Sequence, residues 1–279
     1  MNIQNGSLQK KTSFYYAMLL LPRDQRRALE TLYRFCWAAD EISDGAGARA
    51  RKRKDLARFK AKLKACLAGR PPADPLFLGL AEVRRRFALS AEPLERILKG
   101  VERDLRPLRF KTFGELKAYA RQVAGGPGLA SMEIFGFKDK AHRLYAENLG
   151  LFLQIVNMVR DVKEDAQLGR QYLPDEDFRR FKLNPAALDP GDLSWPHFVD
   201  FQLSRAESFW EKAQAALSRR QRAALPTAEA IAAIYGRLKE KLRAHPGGIL
   251  AGKTSLSLSE KLWAVAGALS RCAAWKGLF

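Results

Sequence analysis

The stretch Leu149 to Asp165, LGLFLQIVNMVRDVKED, restricts the fold more than any other part of the chain. Its apolar residues recur with a helical period, which demands burial inside a bundle of helices. Gln154, Asn157, Asp161 and Asp165 fall at spacings of three, four and four, so they form one stripe along that helix. An amide or carboxylate buried without a partner costs roughly 2–7 kcal/mol, so the stripe must face water, a polar partner or a cavity. Asp161, Glu164 and Asp165 together carry more negative charge than Arg160 can pair.

The rest of the sequence is also helical in period. β-Branched alternation is scarce, and Pro or Gly punctuation separates segments long enough to be helices. The fold class is therefore all-α. Helices are expected at 13–21, 24–44, 47–68, 75–88, 91–105, 112–135, 139–167, 194–220, 223–244 and 256–276. With 47% hydrophobic and 28% charged residues and no low-complexity linker, residues 1–279 read as one domain, with flexibility expected in 1–10. Gly169 to Asp192 contains three prolines and no apolar stripe, which makes 169–192 a candidate lid.

A second acidic group, Asp40 and Asp44, lies four residues apart near the end of the helix ALETLYRFCWAADEISD. Both carboxylates project from one face. Alone, such a pair is most often two solvated acids. If this helix packs antiparallel to the Leu149–Asp165 helix with the stripes facing, four carboxylates converge and raise one another's pKa unless cations intervene. Oxygen-only ligands suit Mg²⁺, whose coordination is usually completed by water and substrate phosphates. No His joins either cluster, which argues against zinc or di-iron. A diphosphate bridged by Mg²⁺ is the inferred ligand, and it gives a use to the net charge of +19.

That charge admits nucleic acid or an anionic membrane as well. The basic residues are dispersed and no nucleic-acid recognition motif appears, so a nucleic-acid partner is not expected. The segment Ser257 to Lys276, SLSEKLWAVAGALSRCAAWK, is amphipathic and carries Trp263 and Trp275, which allows peripheral contact with an anionic membrane beside the alternative of core packing. The apolar run near the N-terminus is too short for a spanning helix and has no small-residue cleavage site. A cytoplasmic location is expected, with the inner face of the cytoplasmic membrane as the surface for any peripheral contact. Cys36, Cys66 and Cys272 are far apart and read as reduced thiols.

At these residues the chain resembles the squalene/phytoene synthase family, all-α enzymes that join two prenyl diphosphates head to head. The resemblance runs from about Lys11 to Lys276. It rests on Asp40-x-x-x-Asp44 and Asp161-x-x-Glu164-Asp165, with SFYYAMLLLP at 13–22, LYRFC at 32–36, YARQVAGGPG at 119–128 and GRQYLP at 169–174. It implies an isoprenoid-synthase bundle around a central reaction cavity. Asp40, Asp44, Asp161 and Asp165 would bind Mg²⁺ and diphosphate, with Glu164 beside them. Tyr33 and Tyr119 would stand by the reacting carbons or the leaving diphosphate, and Gln154 and Asn157 would line the chamber. Phe14, Val123, Ala124 and Leu153 would form its apolar wall, and Arg160, Arg170 and Tyr172 would reach diphosphate oxygens. Tyr235 matches a chamber tyrosine less closely, with core packing as its competing role. Many relatives carry Arg where this chain has Trp37 and Ser where it has Lys11, so Lys11 is expected to supply the missing cation. Pro127 also interrupts a common Val-Gly, which leaves the geometry near Tyr119 open.

The implied reaction ionises one allylic diphosphate, shields the carbocation in an apolar chamber and closes a cyclopropane with loss of a proton. Two farnesyl diphosphates giving presqualene diphosphate, as in bacterial hopanoid pathways, is the primary expectation. Phytoene or dehydrosqualene synthesis is the alternative, as is complete squalene synthesis, which alone would need NADPH. A non-catalytic scaffold in the same family is the rival from a different class, and downstream pathway enzymes are expected partners.

Overall fold

The structure, a computed structural model, describes residues 17–106, 108–252 and 254–277. Among the described residues are fourteen α-helices, and the only extended pairing is one isolated bridge between Arg109 and Gln171. We number them α1 (Arg23–Asp44), α2 (Arg49–Leu67), α3 (Pro75–Phe87), α4 (Ala91–Asp104), α5 (Phe113–Val123), α6 (Gly125–Ile134) and α7 (Lys140–Arg160). There follow α8 (Val162–Gln167), α9 (Asp175–Arg180), α10 (Ser194–Ala216), α11 (Arg219–Ala223), α12 (Pro226–Ala244), α13 (Pro246–Ala251) and α14 (Leu258–Lys276). Of the helix expected at 13–21, Ala17 and Met18 are helical and lead into a turn; residues 1–16, with Lys11 and Phe14, lie outside the described residues.

Side-chain caps fix several starts. Asp139 accepts from the backbone N–H groups of Ala141 and His142 at the head of α7, and Ser257 and Glu260 form a capping box on α14. Four expected spans are broken. The span 112–135 divides at Ala124, where Pro127 removes the N–H that would have continued the ladder. The span 139–167 divides at Asp161, whose φ and ψ of −98° and 7° leave the helical region. The span 194–220 stops at Ala216, and Arg219 begins a separate five-residue helix; the helix expected from 223 starts instead at Pro226. Pro246 follows the end of α12 at Ala244 and opens α13, because proline fits the first turn of a helix.

The break at Ala124 wedges between two neighbours. A Cβ on Gly126 would lie 2.9 Å from the Pro93 carbonyl oxygen of α4 and 2.8 Å from Ile97, and one on Gly150 of α7 would lie 3.1 Å from the Ala124 carbonyl oxygen. Both glycines are therefore required by close backbone approach.

Two hydrophobic cores form. One gathers Leu29, Leu32, Phe35, Phe77, Leu94 and Leu98 with Ala130 and Ile134 of α6. The larger centres on α7, buried along most of its length and packed chiefly on α10. The seam between the two cores is where the cavity described below opens.

The segment 169–192 contains α9 and is fastened to the body. The Gln171 N–H donates to the Leu108 carbonyl and the Asp175 N–H to the Phe110 carbonyl. Leu173 and Phe178 are buried, and the buried Asp177 pairs with Arg205. Opening as a lid would require breaking these bonds.

Candidate active site

A mainly apolar cavity lies along the seam. Met18, Leu29 and Cys36 line it from one side, Ile97 and Val101 from α4, and Ala228 and Ile231 from α12. Val123, Ala124, Leu153, Gln154 and Asn157, all expected from the sequence, are in its wall, as are Tyr33 and Tyr235. The Gln154 and Asn157 part of the stripe thus faces a cavity. Tyr235, given a competing core role above, belongs to the chamber and donates from Oη to Asn157 Oδ1 at 3.2 Å.

One end of the chamber is acidic. Asp40 lines it, and its carboxyl is pushed up to about 7, by burial first and then by the charges of Asp44 and Asp104. Asp165 is also pushed up to about 7, by burial and by Asp161 and Glu164, against the pull of Arg170 and Arg160. Asp44 binds Arg170 Nη2 at 2.6 Å. Asp161 binds Arg160, with Nε to Oδ1 at 2.7 Å. Arg170 links the α1 and α8 acids, since its guanidinium binds Asp44 and its backbone N–H donates to the Asp165 carbonyl at 2.8 Å. Glu164 is exposed.

Beside the acids, Tyr119 donates from Oη to Asp104 Oδ1 at 2.7 Å, and its ring stacks on Tyr172 with centroids 5.9 Å apart. Burial raises the Asp104 carboxyl to about 6, with the Tyr119 hydrogen bond opposing and Asp44 adding to the rise. Pro127 therefore leaves Tyr119 at the acidic end. Sequence reading missed Asp104. The available signal was spacing: Ile97, Val101 and Asp104 share the chamber face of α4. It also missed Lys261 on α14, whose pKa is lowered by burial and by the nearby Arg160 charge. Trp37, where many relatives carry Arg, is half-buried and outside the cavity wall.

As placed, no three acids among the described residues stand close enough to hold a metal ion by protein ligands alone. The donor set still fits Mg²⁺. It is all carboxylate, and the raised Asp40 and Asp165 carboxyls would be stabilised in their ionised form by a cation, while Mg²⁺ takes few protein ligands and completes its shell with water and phosphate.

The elevated Asp40 pKa gives a pH test. Its folded value of about 7 lies above its unfolded value of roughly 3.9. Ionised Asp40 therefore destabilises the fold fully above pH 7 and not at all below the unfolded value. In EDTA, Asp40→Asn is expected to melt above the parent at pH 8, with the gap closing by pH 4. Parallel melting curves at both pH values would refute the assignment.

The family model for squalene/phytoene synthase matches residues 8–260. The chain belongs to the squalene/phytoene synthase family. Among curated relatives, it is 30% identical over 267 residues to a chloroplastic phytoene synthase of an Oncidium hybrid cultivar, covering 93% of this chain and 65% of that protein. It is 32% identical over 216 residues to the 15-cis-phytoene synthase of Synechococcus elongatus, covering 72% and 70% respectively. The chain spans 57–65% of the length of the first four chloroplast relatives it matches. Among solved structures, a dehydrosqualene synthase in complex with ligand superposes with a TM-score of 0.80 at 25% identity, covering 95% of this chain and 93% of the other. Squalene/phytoene synthase membership and the α-helical fold expected from the sequence are thus both met.

Proposed function

We propose that the protein condenses two prenyl diphosphates head to head with loss of pyrophosphate, using two farnesyl diphosphates to make presqualene diphosphate. The observation that carries this reading is the chamber itself, an apolar cavity that ends at paired acids, arginines and tyrosines. Such a space matches a molecule with a hydrocarbon tail and a diphosphate head. The choice of the farnesyl tail rests on the likeness of SFYYAMLLLP and DVKEDAQLGRQYLP to bacterial presqualene diphosphate synthases.

Asp40, Asp44, Asp161 and Asp165, with Glu164 at the margin, would hold Mg²⁺, which supplies Lewis-acid stabilisation to a departing diphosphate. Arg160 and Arg170 exchange their Asp161 and Asp44 partners for phosphate oxygens, and guanidinium suits that bidentate contact. Tyr172 lies against Tyr119 at the same end. Leu153, Val123 and Ala124 keep water from the allylic cation, while Tyr33, Gln154 and Asn157 orient the second substrate. Cyclopropane closure releases a proton, which Tyr119 Oη accepts as its own proton passes to Asp104 Oδ1.

The phytoene synthase names among the relatives favour a second reading, in which two geranylgeranyl diphosphates are joined. Incubation with either diphosphate, with Mg²⁺ or EDTA and with or without NADPH, followed by mass analysis, separates the readings. Presqualene diphosphate that forms only with Mg²⁺ and persists with NADPH is expected. Phytoene would select the second reading, squalene would assign NADPH to the enzyme, and unconsumed substrate would overturn catalysis.

A further inference from the structure

The α14 helix is amphipathic, but its outer face is not part of the core. Trp263 is 75% exposed, Leu258 54% and Leu262 49%. Ser259, Ala266, Ser270 and Ala273 continue that exposed face, so it runs four turns without a charged side chain. A face this free of charge is out of character for a chain with a net charge of +19. Its inner side is fully used: Ala264, Val265, Ala268 and Cys272 are buried, and Trp275 is half-buried against the Arg222 guanidinium.

Beside this face a groove runs between α10, α12 and α14, floored by Trp210, Gly236 and Gly267 and edged by Trp263. Its acids are neutralised, since Glu207 and Glu240 both pair with Lys239 and Arg243. The single acid of α14, Glu260, binds Lys241 and caps its own helix. Arg237 and Arg271 line the same groove, are exposed and have no ion pair among the described residues. Lys276, at the end of α14, is also exposed. The result is an apolar strip bordered by uncompensated cations.

We propose that this face docks on an anionic bilayer surface, with Leu258, Leu262 and Trp263 entering the headgroup region and Arg237 and Arg271 meeting lipid phosphates. Amphipathic helices with an aromatic and aliphatic face and a basic border bind membranes in this way. Charge decides against a second copy of the chain as the occupant. A two-fold contact through this strip would gather two copies of Arg237, Arg271 and Lys276 at one interface, with the acids beside them already paired. No helix among the described residues is long and apolar enough to cross a membrane, so the contact is peripheral.

Sedimentation of the full chain with phosphatidylglycerol vesicles and with phosphatidylcholine vesicles tests the proposal without reference to turnover. Binding to the anionic vesicles at low salt and its loss in 0.5 M salt are expected. Leu262→Ser with Trp263→Ser should lower the bound fraction at least tenfold, and Arg237→Gln and Arg271→Gln roughly fivefold each. Melting temperatures near that of the parent would show that the variants fold. Failure of the parent to sediment with anionic vesicles, or equal sedimentation of the Leu262/Trp263 variant, overturns the proposal. So does a self-associated parent that the same variant returns to monomer, since the face would then be covered by a second copy.

Discussion

Asp40→Asn is expected to lower turnover of farnesyl diphosphate by roughly a thousandfold while raising the melting temperature of the metal-free protein at pH 8. The two effects share one cause. Asp40 is pressed by burial and by the charges of Asp44 and Asp104, so its ionised form costs stability in the absence of a cation. On the proposed function, the same charge would recruit a cation and its diphosphate. A substitution that merely damaged the fold would move activity and stability in the same direction. Single-turnover mass analysis with farnesyl diphosphate, beside thermal melting in EDTA, reads both effects. If Asp40→Asn stays within tenfold of the parent's activity, the acidic end of the chamber is not the diphosphate handle.

The second large effect concerns Tyr119 and Asp104. Tyr119→Phe and Asp104→Asn are each expected to reduce product formation by roughly 10²–10⁴, the range for a lost general base or its relay. The 2.7 Å hydrogen bond makes the two side chains one unit. The double variant should therefore be little worse than the poorer single variant, because members of one relay lose function together. The pH profile adds a check. Asp104 accepts a proton only when ionised, and its carboxyl is raised to about 6, so activity should fall below that pH in the parent. The residual activity of Asp104→Asn should lack that acid limb. Additive losses in the double variant, or an unchanged limb in Asp104→Asn, would remove the relay and leave pyrophosphate as the proton acceptor.

The α7 stripe shows what sequence can carry. Gln154, Asn157, Asp161 and Asp165 were legible as one face because helical spacing is a local property, and the structure turns the upper part of that face to the cavity. Asp40 and Asp44 were legible for the same reason. Asp104 and Lys261 were not, because each stands alone among ordinary charged residues. Only the tertiary approach of α4 to Tyr119, or of α14 to Arg160, gives them a partner. The break at Asp161 was hidden by the polar spacing that continues across it to Asp165, and the role of Pro246 by the ambiguity of a residue that both ends and begins helices. Tyr235 shows the limit most plainly. Its spacing on α12 suits a core position and a cavity wall equally, and the choice was made by Asn157 on another helix.

The places where helices end have a consequence of their own. The α1 helix finishes at Asp44, α4 at Asp104 and α7 at Arg160, so three C-termini gather around one acidic pocket. Each terminus contributes about half an elementary negative charge from its unbonded carbonyls. The backbone thus deepens the negative well made by the carboxylates, and a bare diphosphate approaching it meets repulsion from main chain and side chains together. Neutralising the acids one at a time would not make this pocket welcome an anion. On the proposed function, cation and diphosphate would then arrive as a package, and affinity for a prenyl diphosphate is expected to depend on cation concentration more steeply than a single ion would require.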